Sequence, residues 1–105
     1  MAKPETRRLD REIQQTTRKF KAVQRREMWP LTGRERRAVL AALASGSYKV
    51  VRGNSPARAE RKLETAWGAA EIRLSAEISA LQSERQRVVN KAAAAKAAKK
   101  SSGWW

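Results

Sequence analysis

The stretch Asn54-Ser55-Pro56-Ala57-Arg58-Ala59-Glu60-Arg61-Lys62-Leu63-Glu64-Thr65-Ala66-Trp67 opens the longest regular pattern in the chain and decides its fold class. Ser55 offers a side-chain acceptor to the free amides of a helix start, and Pro56 suits the first helical position, where no N–H is needed. From there Leu63, Trp67, Ala70, Leu74, Ile78, Leu81 and Val88 fall on one helical stripe, and Trp67, Leu74, Leu81 and Val88 are spaced by sevens. The pattern predicts a helix over 56–90, about 50 Å long at 1.5 Å per residue. Such a stripe needs cover. Either a first helix packs antiparallel along it, or two copies meet as a homodimer through Leu74, Ile78, Leu81 and Val88. Glu77, Glu84 and Arg85 interrupt the seam, which favours a small helical bundle over a long coiled coil.

Moving outward to the N-terminal side, Leu9, Ile13, Phe20 and Val23 repeat at helical intervals and predict a first helix over 5–28, with Pro4 suited to its first turn. At 100° per residue, Arg7, Arg11, Lys21 and Arg25 lie within about 60° of Arg18, opposite the apolar stripe. Asp10, Glu12 and Glu27 lie off that cationic face. A solvated outer face and a binding face both fit this pattern. Met28-Trp29-Pro30 is expected to end the helix, because proline disfavours helical geometry in the residue before it, with Trp29 covering the turn.

Thr32-Gly33-Arg34-Glu35 has the order of a capping box, and predicts a second helix over 33–45 that buries Val39, Leu40 and Leu43 and stops at Gly46. Arg34, Arg36 and Arg37 crowd its first turn, where cations oppose the helix macrodipole by a few tenths of a kcal/mol each. A bound phosphate would offset that cost; a solvated helix start is the alternative. Ser47-Tyr48-Lys49-Val50-Val51-Arg52-Gly53 alternates enough to predict a short extended loop at 47–53, in which Tyr48, Lys49 and Arg52 either stack on and pair with nucleic acid or pack onto the helices.

Leu31-Thr32-Gly33-Arg34-Glu35 through Leu43-Ala44-Ser45-Gly46 resembles the opening of the helix-turn-helix in LuxR-type response regulators, over about sixteen residues. In that family a short scaffold helix and then a recognition helix follow. Here Ser47–Gly53 intervenes and the pattern does not continue, so the resemblance carries no family assignment.

From Lys91 the chain becomes Lys-Ala-Ala-Ala-Ala-Lys-Ala-Ala-Lys-Lys-Ser-Ser-Gly, good helix formers with nothing but alanine to bury. A frayed basic tail is expected over 91–105, beside a single domain at 1–90. This segment is similar to the lysine–alanine tails of linker histones and some bacterial nucleoid proteins, which implies DNA contact through Lys96, Lys99 and Lys100. Trp104-Trp105 call for a surface: the protein's own core, unpaired bases, a partner pocket or a membrane interface.

The whole chain has 105 residues, with 24 lysines and arginines against ten acids and a formal charge of +14. Roughly twenty large apolar side chains make only a thin core. A surface this basic concentrates phosphate polymers and releases their counterions, so nucleic acid is the expected partner, DNA ahead of RNA. Coding bias toward arginine and alanine is the plain alternative. Cysteine and histidine are both absent, which removes disulfides, thiolate metal sites and the commonest general base. The five glycines are too scattered for a nucleotide-binding loop. The carboxylates stand singly, in expected surface pairs such as Glu60 with Lys62 or Glu84 with Arg87.

No enzyme activity, cofactor or metal is expected. There is no apolar run of the ~20 residues a membrane span requires, and no apolar signal-peptide core, so a cytoplasmic or nucleoid-associated protein is expected. The reading that follows is an all-α, non-enzymatic nucleic-acid-binding protein. Its contacts would be Arg7, Arg11, Arg18, Lys21, Arg25, Arg34, Arg36, Arg37, Lys49, Arg52, Lys96, Lys99 and Lys100, with modest sequence specificity. The alternative is a helical protein–protein adaptor working through the third-helix seam, Trp104 and Trp105. Peripheral binding to anionic membranes through the first helix is a third reading.

Overall fold

The structure, a computed structural model, describes residues 5–102. Its regular elements are three helices: α1 (Arg7–Gln24), α2 (Gly33–Val51) and α3 (Ala57–Ser102). The all-α, three-helix expectation holds. Pro4, Trp104 and Trp105 lie outside the described residues.

α3 is the platform. At 46 residues it is about 69 Å long, and α1 and α2 each pack on it without packing on one another. Both run antiparallel to it. Asp10 meets Arg85, whereas Arg26, just past the end of α1, meets Glu71 and Glu64. Glu35 at the start of α2 meets Arg73, and Gly46 lies beside Ala59. The two shorter helices therefore lie end to end along one face of α3, giving an elongated molecule of 83 × 18 × 18 Å. Of the two ways to cover the long stripe, the antiparallel first helix is the one adopted for its distal half.

The core sits where α1 hands over to α2. Val23, Leu31, Val39, Trp67, Ala70 and Leu74 form one buried cluster, flanked by Phe20, Met28, Leu63 and Ala66. Trp67 and Leu74 are buried as their spacing predicts, while Ile78, Leu81 and Val88 are only half-buried under α1. Leu9 and Val23 anchor the two ends of the α1 stripe, and both are fully buried.

The helix ends differ from expectation in three places, each with a local cause. α1 stops at Gln24, before Pro30 can act. The Arg26 N–H donates to the Val23 carbonyl at 2.9 Å and the Glu27 N–H to the Ala22 carbonyl at 2.9 Å, with Arg26 at φ 63°. This is a Schellman closure with arginine where glycine is the usual residue. The expected exposed-turn cover, Trp29, is 56% exposed and donates its indole N–H to Glu27 at 2.9 Å.

α2 does not stop at Gly46, and 47–53 is not an extended loop: the helix runs on to Val51. Gly53, at φ 76°, supplies the left-handed residue, with its N–H on the Val50 carbonyl and the Asn54 N–H on the Lys49 carbonyl. Gly46 lies within the helix, beside α3, where a Cβ would meet the Ala59 methyl at an ordinary 3.5 Å. This register buries Val39 and Ala42 and leaves Leu40 and Leu43 about half exposed, contrary to the expectation that both are core.

Third, 91–102 is not frayed. α3 passes Asn90 without a break and continues to Ser102, as the high helix propensity of alanine and lysine favours. At the other end α3 starts at Ala57, one residue after Pro56, with the Ala57 N–H donating to Ser55 Oγ at 3.3 Å.

Candidate nucleic-acid interface

The acidic residues decide how the positive charge is displayed. Among the described residues eight of the acids form ion pairs, with Arg8, Arg25, Arg26, Arg73 and Arg85. Five of the eight pairs tie α1, the turn after it or α2 to α3. Asp10 holds Arg85 at 2.6 Å, Glu84 holds Arg8 at 3.7 Å, and Glu64 and Glu71 both hold Arg26. Glu84 thus pairs with Arg8 rather than the expected Arg87, and Glu60 makes no pair with Lys62.

The tightest knot is at the turn into α2. The capping box forms, with the Glu35 N–H on Thr32 Oγ1 at 3.2 Å and the Thr32 N–H on Glu35 Oε1 at 3.0 Å. The same carboxylate takes two bonds from Arg73, at 2.8 and 2.9 Å, and Arg73 also donates to the Pro30 carbonyl and to Glu77. The hydrogen bond from Arg73 holds the Glu35 carboxyl below its ordinary range, and that from Glu35 holds the Arg73 guanidinium above its own. At the end of α1, Arg25, and after it Trp29, likewise holds the Glu27 carboxyl low. Arg26, in its left-handed conformation, is held by Glu64, Glu71 and the Trp67 ring, whose centroid is 5.5 Å from its guanidinium carbon.

With the acids engaged at the seams, the outer stripe of α1 is left cationic. Arg7, Arg11, Arg18, Lys21 and Arg25 are all exposed, and only Arg25 has an ion-pair partner among the described residues, Glu27. From Arg7 to Arg25 the ridge is about 27 Å long. The absence of acids from this stripe has a direct cause: Asp10 is turned to α3, Glu12 to Arg8 and Glu27 to the turn.

The remaining predicted contacts do not gather into one patch. Arg34, Arg36 and Arg37 are exposed but fan around the first turn of α2, because successive residues diverge by about 100°. Lys49 is half-buried, on the stripe that carries Val39 and Ala42 toward α3. Arg52 lies over the Tyr48 ring at 5.5 Å and donates to its hydroxyl at 3.1 Å, so one face of that ring is already occupied. Lys96, Lys99 and Lys100 are exposed on the part of α3 that extends past the start of α1.

Sequence reasoning passed over Arg58, Arg61 and Lys62, which stand exposed on the first two turns of α3. The signal was present: they share the solvent side of a helix whose Ala59 and Leu63 face inward. The third-helix seam proposed for an adaptor is occupied by α1 and α2, with Trp67, Ala70 and Leu74 buried. Among the described residues no cluster of three or more acidic side chains could hold a metal ion, and no helix is long and apolar enough to cross a membrane. No family model matches the chain, and neither a curated protein nor a solved structure matches it.

Proposed function

We propose that this protein binds nucleic acid, duplex DNA ahead of RNA, through the phosphate backbone, with the outer ridge of α1 as the primary contact. One observation carries the reading: among the described residues eight of the acids are engaged in ion pairs with other cations, while Arg7, Arg11, Arg18 and Lys21 face solvent without ionic partners. A folded chain gains nothing from lining up four like charges on one face, since like-charge neighbours destabilise a helix by a few tenths of a kcal/mol per pair. A duplex carrying one negative charge per ~1.7 Å turns that repulsion into attraction and gains from counterion release. Arg34, Arg37 and the lysines of the α3 extension are exposed separately from the ridge and add to the net positive charge that draws the polyanion. The role is accessory or architectural and non-enzymatic, because phosphate contacts position a protein without reading bases.

The test is fluorescence anisotropy with labelled duplex DNA, single-stranded DNA and structured RNA over a salt series. Reversing Arg11 and Arg18 to glutamate is expected to flatten the plot of log affinity against log salt by roughly two units, at ~0.9 for each phosphate no longer neutralised. Binding that ignores salt, or a slope unchanged by the double reversal, would rule the reading out.

A further inference from the structure

α2 carries two apolar stripes, and α3 covers only one of them. Glu35, Val39, Ala42, Gly46 and Lys49 recur at intervals of four, three, four and three, and this stripe lies against α3. Arg36, Leu40, Leu43, Ser47 and Val50 recur at the same intervals, one residue further round. Leu40 is 49% exposed, Leu43 46% and Val50 60%, with Val51 beside them at 83%. Such spacing marks a narrow seam made for a second helix. Between this stripe and α3 lies an open groove of about 460 Å³, lined by Leu43, Val50, Val51, Pro56, Glu60 and Leu63. The four exposed apolar side chains offer roughly 400 Å² of surface, within the ~300–600 Å² of a functional patch on a monomer.

The charges at the two ends of the seam say what fits it. Arg36 stands at the N-terminal end and Glu60 beside the C-terminal half, and neither side chain has a partner among the described residues. A surface with a cation at one end and an acid toward the other is complementary to itself when turned about a two-fold axis. We propose that the α2 stripe pairs antiparallel with the same stripe of a second copy of this chain, Leu43 near the axis and Arg36 of each copy reaching Glu60 of the other. This places self-association on α2, not on the α3 seam that the sequence suggested. It does not depend on nucleic-acid binding.

The test is sedimentation equilibrium on the nuclease-treated full chain, without nucleic acid, from about 1 to 200 µM, which brackets micromolar affinities. The mass is expected to rise from 11.8 kDa toward twice that value. Leu43→Asn with Val50→Asn is expected to weaken association by about tenfold or more, as loss of a central apolar anchor does. Arg36→Glu and Glu60→Arg are each expected to weaken it, and the two together to restore it, which general surface damage would not do. A chain that stays monomeric throughout, a mass unaffected by the asparagine pair, or a double reversal no better than either single one overturns the proposal. Far-UV circular dichroism on each variant separates loss of pairing from loss of fold, and all four positions are exposed enough to keep the fold.

Discussion

Replacing Glu35 by alanine tests the knot that ties the turn, α2 and α3 together. Two contributions are lost. The reciprocal half of the capping box, the 3.0 Å bond from the Thr32 N–H, is worth about 1 kcal/mol. The two bonds from Arg73 are charge-assisted, and only 13% of the Glu35 side chain and 29% of the Arg73 side chain is exposed. Such bonds contribute about 1.5–3 kcal/mol between them once water is counted, and Arg73 keeps Glu77 and the Pro30 carbonyl, so it is not stranded. The expected loss is about 2.5–4 kcal/mol, a large share of the stability of so small a chain. Urea unfolding followed by far-UV circular dichroism at pH 7 measures it. A double-mutant cycle with Arg73→Met isolates the pair, with an expected coupling of about 1–2 kcal/mol.

The pH dependence has a definite sign. Because the folded Glu35 carboxyl lies below its unfolded value, its contribution is complete above the ordinary 4.5 and is lost as pH falls through the folded value. The gap between wild type and Glu35→Ala should therefore narrow in acid. A coupling below about 0.5 kcal/mol, the level of an exposed pair, or a gap that stays constant from neutral pH into acid, would refute the reasoning.

Three further outcomes are expected. Arg26→Gly relieves the left-handed strain, about 1 kcal/mol, but gives up Glu64, Glu71 and Trp67, so its midpoint should stay near wild type; Arg26→Ala keeps the strain without those partners, and should unfold at clearly lower urea. Gly46→Ala places its methyl at ordinary contact distance from Ala59 and should raise stability by about 0.5–1 kcal/mol, whereas Gly46→Leu should lower it by prising α2 from α3. Leu74→Ala, at a fully buried site in the central cluster, should cost about 2–5 kcal/mol in the same denaturation assay.

What was legible in the sequence was whatever a single helix dictates by itself. The start signals at Thr32–Glu35 and Ser55–Pro56, the α3 stripe and the opposed faces of α1 are local patterns, and the structure keeps each of them. The ends of α1 and α2 were not local. Gly46 and Gly53 are both acceptable stops; the helix passes Gly46, which lies beside Ala59 of another helix, and closes at Gly53 with its φ of 76°. Arg26 closes α1 against its own backbone preference because Trp67, Glu64 and Glu71 hold its side chain. The same limit applies to the cationic face. The α1 ridge follows from its own periodicity, but that the acids would turn inward to Arg85, Arg8 and Arg26 depends on the antiparallel pairing, which periodicity does not specify.

The antiparallel order also governs when each helix finds its partner. α1 is synthesised first, yet the residues that cover it come last: Arg85 follows its partner Asp10 by 75 positions. At ~5–20 residues per second, Leu9 and its neighbours wait about 4–15 s for the distal half of α3. α2 and the start of α3, joined by a short turn, meet almost at once. During that interval the apolar side of the α1 segment has no cover from α3, and what keeps it in solution is the run of arginines and lysines on its other side.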